Sequence, residues 1–230
     1  MLDINIERTA PSDEAIRRAV CGYFYIFVLM TSHITNVPIE KHPLEPFLPE
    51  GARILMLGSF PPKQEKWSME FFYPNFINDM WRIMGLIFFN DREHFVAEDS
   101  AGRKVKRFDR DRCASFAAEK GIAMYDTACE VRRLKDNASD KFLEIVTPTD
   151  LKDLLERIPS CQAIVTTGQK ATDVIIETFG YEEPAVGEST DFIIGKRPMR
   201  LWRMPSSSRA YPLSLEKKAE FYRNLFKSEI

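Results

Sequence analysis

Four loops concentrate the side chains able to do chemistry. The first runs Gly58-Ser59-Phe60-Pro61-Pro62 and continues to Tyr73-Pro74-Asn75-Phe76-Ile77-Asn78-Asp79-Met80-Trp81. The others are Met124-Tyr125-Asp126, Thr166-Thr167-Gly168-Gln169, and Met204-Pro205-Ser206-Ser207-Ser208-Arg209-Ala210-Tyr211. The first is not a phosphate-binding P-loop, because it lacks the second glycine and the Gly-Lys-[Ser/Thr] ending. The last lies in the stretch Lys196–Leu215, which holds Lys196, Arg197, Arg200, Arg203 and Arg209 and no acid. Cations, serine hydroxyls and backbone N–H groups in one loop suit contacts to phosphates, which position a nucleic acid without reading it. The same run also reads as an ordinary solvated basic strand. Ser214-Leu215-Glu216-Lys217 imitates the Ser-x-x-Lys of small-molecule hydrolases, but its partner motifs are absent. Cys21, Cys113, Cys129 and Cys161 form no Cys-x-x-Cys pair. They read as reduced thiols of a cytoplasmic protein, with no metal site and no cofactor. His33, His42 and His94 match no metal or triad spacing, and none lies near these loops in sequence.

Elements of an α/β fold must position the loops. The chain has 230 residues, room for one large domain or two small ones. Hydrophobic residues make up 44% and charged residues 29%, which excludes a disordered, collagenous or polytopic membrane protein. A formal net charge of -2 excludes a protein that coats DNA by global charge, so contact with DNA needs a local basic face. Arg53–Gly58, Ile122–Tyr125, Ala163–Thr167, Asp191–Ile194 and Met199–Met204 read as short apolar strands. Helices are expected over Ile77–Phe89, Ser100–Lys120, Lys170–Phe179 and Ser214–Phe226, and from Thr147-Pro148-Thr149-Asp150 to about Ile158. Alternating strands and helices mean a mostly parallel central sheet, whose ligands sit at the carboxyl ends of the strands. The four loops all follow such ends. Residues 1–50 read as an N-terminal extension and Pro-rich lead-in, and 51–230 as the main domain. The apolar run Ala19–Met30 is too short for a comfortable membrane span and reads as an added helix.

Together and in this order, the loops resemble the uracil-DNA glycosylase superfamily over about residues 50–228. Gly58-Ser59-Phe60-Pro61 and Asn78-Asp79-Met80-Trp81 resemble the hypoxanthine-DNA glycosylase branch and, more distantly, the mismatch-specific uracil/thymine glycosylases. The resemblance implies a three-layer α/β/α sandwich on a four-stranded parallel sheet. It implies a cytoplasmic, monomeric base-excision repair enzyme with no cofactor and no membrane association. Its partner is DNA with a damaged or mismatched base, and its reaction is hydrolysis of the bond between base and deoxyribose. The target base lies inside the stack, so the nucleotide must be flipped into a pocket.

Residue by residue, the resemblance places Tyr73 as the stacking aromatic, with Ser59 and Phe60 beside it around the base. Asn78 matches the proposed catalytic Asn, which positions the attacking water, since an amide is a poor base. Asp126 stands where the main uracil-excising branch reads the base with Asn. An ionised Asp offers only acceptors and repels a base carbonyl unless protonated. Arg203, Pro205, Ser206, Ser207, Ser208, Arg209 and Tyr211 form the loop that enters the minor groove, with Arg209 or Tyr211 filling the gap. Read without the resemblance, Tyr73 packs in a core, Asn78 caps a helix and Asp126 ends a strand. Phe60 stands where that branch has a carboxylate or amide, and Met204 where it has His. The first departure is shared by the hypoxanthine branch and favours it; the two together favour a damaged-DNA binder with little or no activity on the same fold.

Overall fold

The computed structural model describes residues 37–135 and 142–230. Strands β2 (Ile54–Gly58), β5 (Ile122–Asp126) and β8 (Ala163–Thr167) are runs of apolar residues without alternation, and nearly every position in them is buried. Burial on both faces suits a parallel sheet covered by helices. They pair with β10 (Arg197–Met204) and β9 (Ser189–Ile194) in a five-stranded sheet of order β5-β2-β8-β10-β9. The pairs β5-β2, β2-β8 and β8-β10 are parallel and β9-β10 is antiparallel. The fold is therefore α/β on a mostly parallel sheet, with a fifth strand beyond the four expected. Gly195, at φ +64, turns the β9–β10 hairpin that adds it.

Register fixes the site. Gly58 pairs with Asp126, Leu57 with Thr166, and Thr167 with Met204. The carboxyl ends of all four parallel strands thus finish level. The helices that follow start at local caps. In α3 (Leu151–Arg157), Asp150 accepts from the N–H groups of Lys152 and Asp153. In α5 (Leu215–Glu229), Ser214 accepts from Lys217 N–H. In α1 (Met80–Phe89), Asp79 is the cap residue but its side chain is used elsewhere. The helix α4 (Gln169–Phe179) follows Gly168, whose φ of +114 favours glycine.

Two expectations need correction. Residues 100–120 are not one helix. Asp99 accepts from Ala101 and Arg103 N–H in a turn, which joins β3 (Val96–Glu98) to β4 (Lys104–Phe108). Asp109 then caps α2 (Arg110–Glu119). Pro148 does not open a helix but ends β7 (Leu143–Pro148), which pairs with β6 (Ala128–Arg133). The Pro-rich lead-in from Ile39 onward lies in the compact unit Ile39–Ile230. Its first strand, β1 (Ile39–Lys41), pairs antiparallel with β6, and Phe47 bridges to Met124. Cys113 and Cys161 are buried free thiols and Cys129 is half-buried, while Cys21 and the run Ala19–Met30 lie outside the described residues. No helix among the described residues is long and apolar enough to cross a membrane.

Candidate functional site

At the level edge of the parallel strands opens a pocket of about 660 Å³, within the range of small-ligand sites. It gathers Ser59, Phe60, Tyr73, Asn78 and Asp126 with Ser206, Ser207, Ser208, Arg209 and Tyr211. Arg203 and Pro205 are not brought to it. Arg203 pairs with Glu183 at 3.1 Å, donates to Pro184 O and bonds Gln169. Pro205 is buried, and its carbonyl accepts from Tyr222 Oη at 2.9 Å.

Asp126 ends β5 and its side chain lies against Gly58. A Cβ at Gly58 would stand 2.3 Å from Asp126 Oδ1, so any larger residue there would push the carboxylate aside. The other carboxylate oxygen, Oδ2, is 2.9 Å from His42 Nε2. This corrects the reading that no histidine stands near the loops. His42 lies 84 residues from Asp126 in sequence, and the β1–β6 pairing brings it in. Its ring meets Phe60 edge-on at 5.3 Å and Tyr125 at 4.6 Å. Nothing in the sequence around His42 marks it, because the contact depends on a strand pairing that spacing does not show.

Tyr73 has a φ of +54, which is rare for a bulky side chain and costs on the order of 1–3 kcal/mol. The phenol is held in place by Thr167 Oγ1 at 3.1 Å, and Thr167 in turn donates to Leu57 O. Burial pushes the Tyr73 phenol well above its ordinary value, and the Thr167 bond opposes this. Tyr73 therefore stays neutral throughout the working pH range.

Asn78 lies one residue before the cap of α1. Its Oδ1 accepts from Met80 N–H at 2.9 Å, so the helix-capping role is filled by that oxygen. Among the described residues no hydrogen bond to Nδ2 is found, which leaves the amide two donors for the pocket. Arg82 is buried and braces this turn, donating to Phe76 O at 2.7 Å and Asn78 O at 3.2 Å. Ile77, 59% exposed, projects at the rim of the same pocket.

The serine loop is pinned to that turn. Asp79 N–H donates to Ser207 O at 2.9 Å, and Asn78 bridges to Ser208. The Asp79 carboxylate, also buried, holds Arg209 Nε at 3.0 Å and Lys218 Nζ at 3.1 Å. Lys218 is fully buried and also donates to Ser208 O at 2.7 Å. The stretch without acids in the sequence is thus matched by acids from elsewhere. Asp79 meets Arg209, Glu183 meets Arg203, and Glu229 with Asp191 meets Arg200. Arg197 turns to the carbonyls that end α3, including Leu155 O and Pro159 O. Only Arg209, with 47% of its side chain exposed, presents a cation of this stretch to the pocket. A second lining cation, Arg133 on β6, donates to Pro61 O and lies 5.5 Å from the Phe60 ring.

No protein-family model and no curated protein matches the chain. Among solved structures it is similar to the solution NMR structure of a candidate uracil DNA glycosylase from Methanosarcina acetivorans. The TM-score is 0.53 and the identity 21%, over 83% of this chain and 98% of that one. At that identity the likeness shows the fold alone, and the chain shares the α/β fold of that protein.

Proposed function

We propose that the protein is a monofunctional DNA glycosylase of base-excision repair. It extrudes a deaminated base, hypoxanthine or uracil, into this pocket and hydrolyses the N-glycosidic bond. The observation that carries the reading is the convergence of Tyr73, Asn78 and Asp126 with the Ser206–Tyr211 loop on one pocket at the carboxyl edge of a parallel sheet. The three-layer arrangement, the monomeric state and the cytoplasmic location belong to the same reading.

In this mechanism the flipped base stacks on Tyr73, whose ring is set before the base arrives. Preset geometry lowers the ordering cost of the step. Asp126 meets the polar edge of the base. Asn78 Nδ2 donates to a water that attacks C1′ as the sugar gains oxocarbenium character. The water oxygen bonds to C1′ and gives up a proton to solvent, and the C1′–N bond breaks with its electron pair moving to the base, which is then protonated from solvent. Backbone N–H groups of the surrounding loops stabilise that negative charge. Ile77, Arg209 and Tyr211 at the rim face the duplex.

A damaged-DNA binder with little or no activity is the second reading. Met204, 1% exposed, lies in the core and offers the base nothing, and Phe60 packs on Ala128, Val131 and Leu143. Single-turnover cleavage of duplexes carrying one uracil, hypoxanthine, xanthine or G·T mismatch separates the two. Cleavage of at least one lesion is expected, faster for hypoxanthine or mismatched uracil than for uracil in an A·U pair. Weak catalysis favours bases that leave the stack easily. Tight lesion binding without cleavage of any of them selects the second reading.

A further inference from the structure

Asp126 is the one acidic side chain lining the pocket among the described residues, and it shares its outer oxygen with a buried histidine. The His42 side chain is 2% exposed and that of Asp126 11%. His42 Nδ1 stands 2.8 Å from Leu44 O and 3.2 Å from Leu44 N. The two contacts ask opposite things of Nδ1, which either donates to Leu44 O or accepts from Leu44 N–H; a bare Nδ1 would place two acceptors 2.8 Å apart, so the shorter contact decides for a proton on Nδ1 donated to Leu44 O. One further proton then occupies the 2.9 Å line between Nε2 and Oδ2. It sits on the carboxyl with a neutral imidazole, or on Nε2 with a carboxylate. The pair carries no net charge in either arrangement. Oδ2 is turned to His42 in both, and Oδ1, lying against Gly58, keeps only lone pairs for the pocket.

We propose that His42 is a positioning residue that fixes Asp126 as a neutral-pair, acceptor-only reader of the extruded base. This rests on the glycosylase reading above. A bare carboxylate would repel the carbonyl oxygens of a deaminated base and the anion it leaves as; the His42–Asp126 pair does not. The partner that satisfies Oδ1 is a ring N–H flanked by carbonyl carbon, the lactam edge that deamination creates. Adenine and cytosine have an unprotonated ring nitrogen at that edge, which faces Oδ1 lone pair to lone pair. A site built to accept from a donor rejects a ligand lacking it, because its buried acceptor is left unpaired.

The test uses the full chain and a G·U duplex made uncleavable by a 2′-fluoro sugar on the uridine. The same duplex with the uracil N3 methylated is the comparison. Methylation is expected to weaken binding by the wild type roughly tenfold or more, the effect of one hydrogen bond to a paired carboxyl. Asp126→Asn keeps this ratio, because its amide N–H can donate to Nε2 while its oxygen still faces the base. His42→Phe, which retains the ring packing, brings the ratio near one. His42→Gln, which can donate to Oδ2, restores it and guards against a folding defect in the Phe variant. Nitrogen NMR of the imidazole gives a readout independent of DNA, with a protonated Nδ1 expected at neutral pH. A proton on Nε2 alone overturns the inference, as does a ratio that His42→Phe leaves unchanged. If the wild type binds the lesion duplex no better than an undamaged one, the glycosylase reading itself falls. A lesion preference indifferent to N3 methylation removes only the role given to His42 and Asp126.

Discussion

The floor of the pocket and its rim are held by different physics. At the floor, Asp126 and Tyr73 project from or over level strand ends, and each is oriented by one partner from elsewhere, His42 for the first and Thr167 for the second. At the rim, the serine loop hangs on a buried charge cluster in which Asp79 faces both Lys218 and Arg209. Sheet register already places Asp126 and Thr167 to within a side-chain rotamer, so single hydrogen bonds from or to them suffice to fix the floor. The loop has no strand neighbours beyond the Asn78–Ser208 bridge. Its path therefore depends on charge taken out of water, which is costly if one partner is lost. The contrast implies that floor variants lose selectivity or rate while folding well, and that anchor variants lose stability first.

The largest effect is expected at the anchor. Lys218→Met keeps the length and burial of the side chain but leaves Asp79 with Arg209 alone and Ser208 O with only Tyr211 N–H as donor. Removing one partner of a buried ion pair costs about 3–5 kcal/mol. Guanidinium unfolding should show a loss of that order. A loss below about 1 kcal/mol would mean that the loop is not anchored by charge and would erase the contrast with the floor.

Asn78 belongs to both regions, and its two functional ends can be separated. Asn78→Ala should slow the chemical step by roughly 10²-fold, by analogy with other positioned polar groups. It should also remove the acceptor of Met80 N–H, for about 1 kcal/mol of stability. Asn78→Ser restores a capping oxygen but not the amide donor. Stability is then expected to recover while the single-turnover rate stays low. Recovery of both would reduce Asn78 to a helix cap.

At the floor, Tyr73→Phe deletes only the bond to Thr167, which keeps its own bond to Leu57 O. About 1 kcal/mol of stability should be lost at neutral pH. The sign of the pH dependence follows from burial. The folded phenol is held above its ordinary value near 10, so the unfolded chain releases the proton first. This contribution to stability is present below about pH 10 and declines above it. Denaturation midpoints from pH 8 to 11 should fall less steeply in Tyr73→Phe than in the wild type. Equal slopes would show that Tyr73 is not held in a dry environment.

Much of the sheet was legible because buried parallel strands are runs of apolar residues, and Ile122 and Ala163 begin strands at the residues where the runs begin. The β3–β4 and β6–β7 hairpins were not. Their strands are partly exposed, and Lys104–Phe108 alternates charge with apolar residues in a way that also suits a helix face. For the site, the loops were legible as motifs, but their partners were not. His42, Arg133 and Lys218 act through contacts across the fold, and each is an unremarkable residue in its own sequence neighbourhood. Charge misled most. Five cations without a neighbouring acid read as a basic face, yet four have partners from distant segments or helix-end carbonyls, and only Lys196 is left without such a contact to describe. Local charge in sequence became a charge at the pocket only at Arg209.

The smallest effects are expected at the exposed tip of the rim, where they sharpen the division between handling DNA and holding the fold. Arg209 spends Nε on Asp79 and keeps the rest of a half-exposed guanidinium for phosphate. Arg203 is committed to Glu183 and Pro184. Arg209→Ala should therefore lower the slope of log affinity against log salt by about 1, with affinity falling on all sequences alike, and Arg203→Ala should leave the slope unchanged. Filling the gap left by the flipped base falls to Tyr211, with Ile77 as the competing wedge because it is an apolar side chain 59% exposed beside the pocket. Neither residue anchors the loop, so both alanine variants should unfold within about 0.5 kcal/mol of the wild type. Fluorescence of a reporter base beside the lesion measures extrusion directly. Tyr211→Ala should slow it most on well-paired lesions, where the stack resists opening. If Ile77→Ala slows extrusion and Tyr211→Ala does not, the wedge comes from the turn before α1 rather than from the serine loop. If neither does, the rim only grips phosphate.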